Sequence, residues 1–173
     1  MKNPALLNEA HSIFAGTGIQ VTCEGQRHLG AVIGSDCYKF QYVSDKVNKW
    51  IKDIEPLSKI AVEEPQVALS AFTKCICHRW SFIQRTIPGI QHLFAPLEEC
   101  IRNSFIPALI GKPVSDIERQ YLSLPVKLGG MGIADPAEAS DCEYNASKTI
   151  TASLVHQIKL QDQDPSLYDK VTT

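Results

Sequence analysis

No apolar stretch in this chain approaches the roughly 18 residues needed to cross a bilayer. Met1-Lys2-Asn3-Pro4 reaches Asn8 and Glu9 before any hydrophobic run can form, which is not the pattern of a secretory leader. The expectation is an intracellular protein, nuclear or cytoplasmic, neither secreted nor membrane-bound. Internal repeats are absent, and ten Pro and ten Gly in 173 residues exclude collagen-like and proline-rich polymers. Charge of one sign is scarce: 17 Lys+Arg stand against 19 Asp+Glu, a formal net of −2. Taken whole, that balance argues for neither a nucleic-acid-binding arm nor a strongly acidic partner. No Asp-Asp dipeptide occurs, so adjacent acids do not offer the paired carboxylates of two-metal phosphoryl transfer.

What is present is an ordinary globular composition, 44% hydrophobic, on a length that suits one domain with a real core. Residues 4 to 15 read as a short helix with Leu6, Leu7, Ala10 and Phe14 on one face, ended by Gly16-Thr17-Gly18. The period then changes. Ile19-Gln20-Val21-Thr22 and Leu29-Gly30-Ala31-Val32-Ile33 read as two strands of one small hairpin, turning at Glu24-Gly25. Everything after it reads as helix. Ser35 caps a helix whose Val43, Val47, Trp50, Ile54 and Leu57 recur at spacings of three and four, with a kink or break expected at Pro56. Pro65 opens a second helix, which carries Leu69, Phe72, Ile76, Trp80 and Ile83 on its buried stripe and stops before Pro88-Gly89. A third runs from about Ile90 to Leu109. Ser115-Asp116-Ile117-Glu118 has the form of a capping box, and Asp135-Pro136-Ala137-Glu138 opens a last helix to about Leu160. A polar tail, residues 161–173, is expected to fray.

Candidate chemistry is thin. Cys75-Ile76-Cys77-His78 carries zinc-type donors, but a tetrahedral site needs four convergent ligands and no second Cys/His pair follows. The six cysteines are expected as reduced core residues, since free Cys is among the most buried residue types. A Cys–His nucleophile pair has no motif around any cysteine. Gly129-Gly130-Met131-Gly132 lacks the phosphate-loop pattern and reads as a flexible connector. Glu63-Glu64 and Glu98-Glu99 fall at predicted helix boundaries or first turns, where acids complement the helix dipole. Asn145-Ala146-Ser147 matches a glycosylation sequon that an unexported chain leaves idle. Trp50 and Trp80 fall in register with the core stripes and read as core anchors.

The charge distribution says more than its total. Lys39, Lys46, Lys49 and Lys52 face a single acid, Asp45, and Lys74, Arg79 and Arg85 have no acid between them. From Asp135 onward the balance reverses, with seven acids against three lysines. Residues 1–134 therefore carry a modest net +2. A helix face bearing Lys39, Lys46 and Lys49 is either an ordinary solvated face or one that tracks phosphates without reading bases.

Gly25-Gln26-Arg27-His28-Leu29-Gly30-Ala31-Val32-Ile33-Gly34-Ser35 resembles the segment after the active site in reverse transcriptases of non-LTR retrotransposon-like elements of invertebrates. The likeness continues through Val47-Asn48-Lys49-Trp50, Leu57-Ser58-Lys59-Ile60-Ala61, Ser70-Ala71-Phe72-Thr73, Arg79-Trp80-Ser81-Phe82 and Arg85-Thr86-Ile87-Pro88. It extends to Phe105-Ile106-Pro107-Ala108-Leu109 and Leu124-Pro125-Val126-Lys127-Leu128-Gly129-Gly130-Met131-Gly132-Ile133, covering roughly residues 10 to 155.

The resemblance implies a mainly α fold: a palm remnant over 1–34, a helical thumb and connection over 35–134, a C-terminal helix over 135–160 and the tail. It implies an RNA-directed DNA polymerase whose Tyr-x-Asp-Asp and Mg2+-binding carboxylates are not in this chain, so no autonomous activity and no cofactor are expected. The hairpin around Leu29-Gly30 is similar to the primer grip, with Arg27 and His28 flanking it. Lys39, Lys46 and Lys49 lie on the helix expected along a duplex, and Lys74, Arg79 and Arg85 add to the nucleic-acid-binding set. The expected partner is an RNA/DNA template–primer. The competing expectation is a helical protein-interaction module that self-associates through apolar surface on the palm remnant.

Overall fold

The computed structural model describes residues 4–161. Residues 1–3 and most of the expected polar tail, 162–173, lie outside the described residues. The fold is mainly α-helical with one small antiparallel hairpin, as the sequence pattern predicts.

The organising element is the helix α2, Asp36–Glu63. Ser35 caps it, its side chain accepting from the Tyr38 N–H at 3.3 Å, and every third or fourth residue of the predicted stripe is buried: Val43, Val47, Trp50, Ile54 and Leu57, continued by Ala61. The break expected at Pro56 does not occur. Pro56 sits on the exposed face, where water can serve the Lys52 carbonyl that loses its partner, and the stripe is buried on both sides of it.

Pro65 does open the next helix, α3 (Pro65–Ala71), but the single helix expected to continue up to Pro88-Gly89 is three pieces. A π turn spans Phe72–Ile76, a non-helical turn follows, and α4 runs Ser81–Thr86. The interruption re-aims the stripe. Ala68, Phe72, Trp80 and Ile83 are buried, while Leu69 and Ile76 are only half-buried.

The third predicted helix is one rod with internal changes of pitch: a 3-10 turn over Gln91–Phe94, α5 (Ala95–Cys100), a second π turn over Ile101–Phe105, and α6 (Ile106–Ile110). Pro107 stands just after that π turn, and a widened turn before a proline relieves the clash with the preceding carbonyls. Phe72 and Phe105 stack at 4.7 Å between ring centroids, so the two π turns meet in the core.

Helix α7 (Asp116–Ser123) begins at the predicted capping box: Ser115 Oγ accepts from the Glu118 N–H, and Glu118 Oε2 accepts from the Ser115 N–H at 2.9 Å. Helix α8 (Pro136–Leu160) begins at Asp135, whose carboxylate accepts from the Ala137 and Glu138 N–H groups. Between them the glycine-rich segment is a loop but not a slack one. The Met131 and Ile133 N–H groups both donate to the Leu122 carbonyl, and Ile133 is fully buried.

Two further expectations are corrected. The hairpin pairs Gly25–His28 (β1) with Ala31–Gly34 (β2), turning at Leu29-Gly30, not at Glu24-Gly25. Four of the six cysteines, Cys23, Cys37, Cys75 and Cys142, are exposed, while Cys77 and Cys100 are half-buried against the core; all six are free thiols, as expected.

Glu118 illustrates how local the caps are. Lys112 and the Ser115 N–H and hydroxyl hold its carboxyl down to about 2, against an ordinary value of 4.5. A depressed folded value means that this cap's contribution is full above 4.5 and is lost as pH falls toward 2. A carbon-detected NMR titration should show the Glu118 carboxyl and the Ser115 amide moving together with a midpoint near 2.

Candidate nucleic-acid interface

The turn between β1 and β2 is a two-residue loop with both residues in the left-handed region, Leu29 at φ 48° and Gly30 at φ 88°. That is the backbone of a type I′ turn, whose twist matches paired strands and which glycine adopts freely. Leucine does not, and its Cβ costs on the order of 1–2 kcal/mol there. Leu29 gains nothing from the core in return: it is 86% exposed, at the tip of the hairpin. The base of the hairpin is equally constrained. A Cβ on Gly34 (φ 151°) would lie 2.3 Å from the Gly25 Cα, and one on Gly25 would lie 2.4 Å from the Tyr38 ring. The two paired glycines let the strands close flat onto α2.

The flank of α2 nearest this hairpin carries Lys39, Tyr42, Lys46 and Lys49, spaced by three and four so that they share one side of the helix. Tyr42 Oη donates to the Gly30 carbonyl at 3.1 Å. One turn on, the Lys46 ammonium stands 5.5 Å from the Tyr42 ring centroid, a cation–π contact. Lys39 also reaches Asp36 at 3.2 Å, a surface pair of small energetic weight. No acid lies within ion-pair distance of Lys46 or Lys49 among the described residues. Phe82 of α4 closes the far side of the turn, its ring edge 3.5 Å from where a Gly30 Cβ would stand, and remains 48% exposed.

The structure thus ties the Leu29-Gly30 turn through Tyr42 to the side of α2 that also carries Lys39, Lys46 and Lys49, with Arg27 and His28 exposed on the strand that leads to the turn. It does not gather the remaining candidates. Lys74 is exposed on the π turn after α3. Arg79 pairs with Asp53 of α2, and Arg85 donates to Glu143 of α8 at 2.7 Å. The local excess of positive charge over residues 74–85 is therefore partly cancelled by acids distant in sequence. Tyr42 and Phe82 escaped the sequence reading, which looked for basic residues; the three-residue step from Lys39 and the four-residue step to Lys46 were the available signal for Tyr42.

A second polar feature also went unnoticed. A recess of about 310 Å³ lies between α5, α7 and the start of α8, lined by Glu98, Arg102, Asp116, Arg119, Asp135 and Glu138 among others. Its charges are mostly spent on one another. Arg119, 7% exposed, makes a two-pronged bond to Glu98 with both distances 2.7 Å, and donates to the Ile133 carbonyl at 2.7 Å. Arg102 pairs with Asp116. Burial pushes the Glu98 carboxyl above its ordinary value, and the Arg119 guanidinium pulls it part of the way back. This is a clamp joining three segments.

Two of the thiols are half-buried. Burial raises Cys77 and Cys100, which favours the protonated form, and Cys77 Sγ donates to the Thr73 carbonyl at 3.2 Å. Among the described residues no group of three or more His, Cys, Asp or Glu side chains is placed to hold a metal ion. No helix among them is long and apolar enough to cross a membrane. Compared with protein-family models, with curated proteins and with solved structures, the chain gives no match.

Removing one partner of a buried charge pair strands the other. Arg119→Ala should cost about 3–5 kcal/mol, read as a lower urea midpoint at unchanged slope. The double replacement Arg119→Met with Glu98→Leu, which removes both charges and keeps volume, should restore most of that loss.

Proposed function

We propose that this chain is a palm-and-thumb segment of a reverse transcriptase of the non-LTR retroelement type, without catalysis of its own. In this reading it holds an RNA–DNA or RNA duplex through the nucleic-acid backbone. The observation that supports it is the union of two surfaces: a strained, protruding turn at Leu29-Gly30 and the Lys39/Lys46/Lys49 flank of α2 beside it. A backbone conformation that costs energy, carried by an apolar residue that buries nothing, is the kind of feature that function maintains. Next to it, Lys39, Lys46 and Lys49 stand seven and three residues apart, about 10 and 5 Å along the helix axis, so that they can meet a phosphate backbone while carrying no base information.

On this account the turn meets a strand end through main-chain groups and small side chains, and the lysines displace condensed counterions from successive phosphates. Binding is then independent of sequence and sensitive to salt. Arg27 and His28 extend the same surface along β1. Mg2+ and the reacting phosphates would belong to carboxylates that this chain does not supply. Fluorescence anisotropy with labelled RNA–DNA duplexes of unrelated sequence should give equal affinities at low salt. Replacing Lys39, Lys46 and Lys49 together by Gln should lower the slope of log affinity against log salt by about 2–3 units. Absence of binding by the native chain at low salt would sink the proposal.

A second reading has its own observation. Ile150, Leu154 and Ile158 recur at four-residue spacing along the later part of α8 and stay exposed, as do Leu6 and Ile13 of α1 (Pro4–Ile13) and Ile33 of β2. Unpartnered apolar stripes of this kind favour association. Sedimentation velocity from micromolar to near-millimolar concentration should show a rising mass if the chain self-associates; a constant monomer mass would end this reading.

A further inference from the structure

We infer that Tyr42 is the positioning residue of this surface: its hydroxyl holds the Leu29-Gly30 turn in fixed relation to the lysine flank of α2, so that turn and lysines meet nucleic acid as one rigid unit. The inference rests on the duplex-holding reading above and adds to it the residue on which its geometry depends.

A two-stranded hairpin is marginal by itself and takes its order from whatever it packs against. Here β2 contributes one fully anchored side chain, Val32, which is 6% exposed; Arg27, His28, Leu29 and Ile33 all face solvent. That anchor lies in the middle of the hairpin. At the tip, the bond from Tyr42 Oη to the Gly30 carbonyl is the one side-chain hydrogen bond that joins residues 25–34 to another element among the described residues. On the other side of Gly30 stands the Phe82 ring edge, which resists inward movement and does nothing against outward movement.

The same tyrosine ring sits 5.5 Å from the Lys46 ammonium. One ring therefore holds the turn through its oxygen and places a phosphate-seeking charge through its face. Because Tyr42 is itself half-buried on the best-anchored helix of the fold, the pair cannot drift with respect to α2. Duplex binding meets a tip that is already ordered, which removes part of the ordering cost of binding.

The test is Tyr42→Phe in the full chain, which removes the hydroxyl and leaves the ring and its cation–π contact. In the free protein, amide hydrogen exchange over residues 25–34 should quicken by about two- to tenfold, with the α2 core amides and the thermal midpoint nearly unchanged. Affinity for a fluorescein-labelled RNA–DNA duplex at low salt should fall by about two- to tenfold as well. Its salt slope should match that of the native chain, because every lysine is still present; Lys46→Gln, by contrast, should lower the slope by about one unit. Unchanged hairpin exchange, or unchanged affinity, overturns the inference. So does an affinity loss that comes with a general fall in stability and equally faster exchange everywhere. If the native chain binds no duplex, the duplex-holding reading fails and the positioning role falls with it. In that case the exchange result separately reports whether Tyr42 orders the tip.

Discussion

Trp50, at the middle of α2, meets Trp80 at 5.8 Å and Phe94 at 6.2 Å between ring centroids. These contacts require two segments to converge on α2: the turn before α4 and the 3-10 turn before α5. Full burial of a large apolar side chain is worth roughly 1.5–3 kcal/mol, and α2 buries five along a single stripe, from Val43 to Leu57, which Ala61 continues. The remaining helices have to wrap that stripe. Both π turns fall where they do so, over Phe72–Ile76 and Ile101–Phe105, and they bring the Phe72 and Phe105 rings into a stack. What the stripe leaves outside is the flank with Lys39, Lys46 and Lys49. The candidate interface is thus the outer edge of the same helix whose inner edge makes the core.

A second, polar constraint sets the C-terminal part. Arg119 binds Glu98 of α5 and the Ile133 carbonyl in the loop before α8, and is buried while doing so. A guanidinium in that position must have its donors matched, and the matching carboxylate and carbonyl come from segments 21 and 14 residues away. The glycine-rich loop is held by this clamp and by the Leu122 carbonyl, so it delivers Asp135 as an N-cap at a defined place. From there α8 packs on α4, with Arg85 and Glu143 at their contact and Gln84 donating to the Pro136 carbonyl at 2.7 Å. The basic residues that a linear count assigns to a nucleic-acid surface are in this region partly structural.

Features whose physics is local were legible in the sequence. The caps at Ser35, Ser115 and Asp135 read correctly because a cap is a bond across two or three residues, and the α2 stripe read correctly because it is a period. Pro65 at a helix start and both tryptophans in the core follow the same rule. The errors share the opposite property. The turn of the hairpin was misplaced because Glu24-Gly25 is an acceptable turn by composition; what decides against it is the closure of Gly25 against Gly34 and Tyr38, a contact between segments. The apolar period continues from Pro65 to Pro88-Gly89 and predicts one helix, while packing against α2 and α6 interrupts the backbone. Residue type places the cysteines in the core, and their register leaves four of the six exposed.

The sequence by itself determined the mainly helical class, the helix starts at Ser35, Pro65, Ser115 and Asp135, the residues that face inward on α2 and the presence of a small hairpin, since each depends on short-range bonding and on hydrophobic period. Only the tertiary structure decided which charges remain available. Arg79 and Arg85 are taken up by Asp53 and Glu143, Lys46 and Lys49 are left open, and Tyr42 is bound to Gly30. Pairing between charged groups depends on distance in space, and chain order carries almost none of that information until the core has folded.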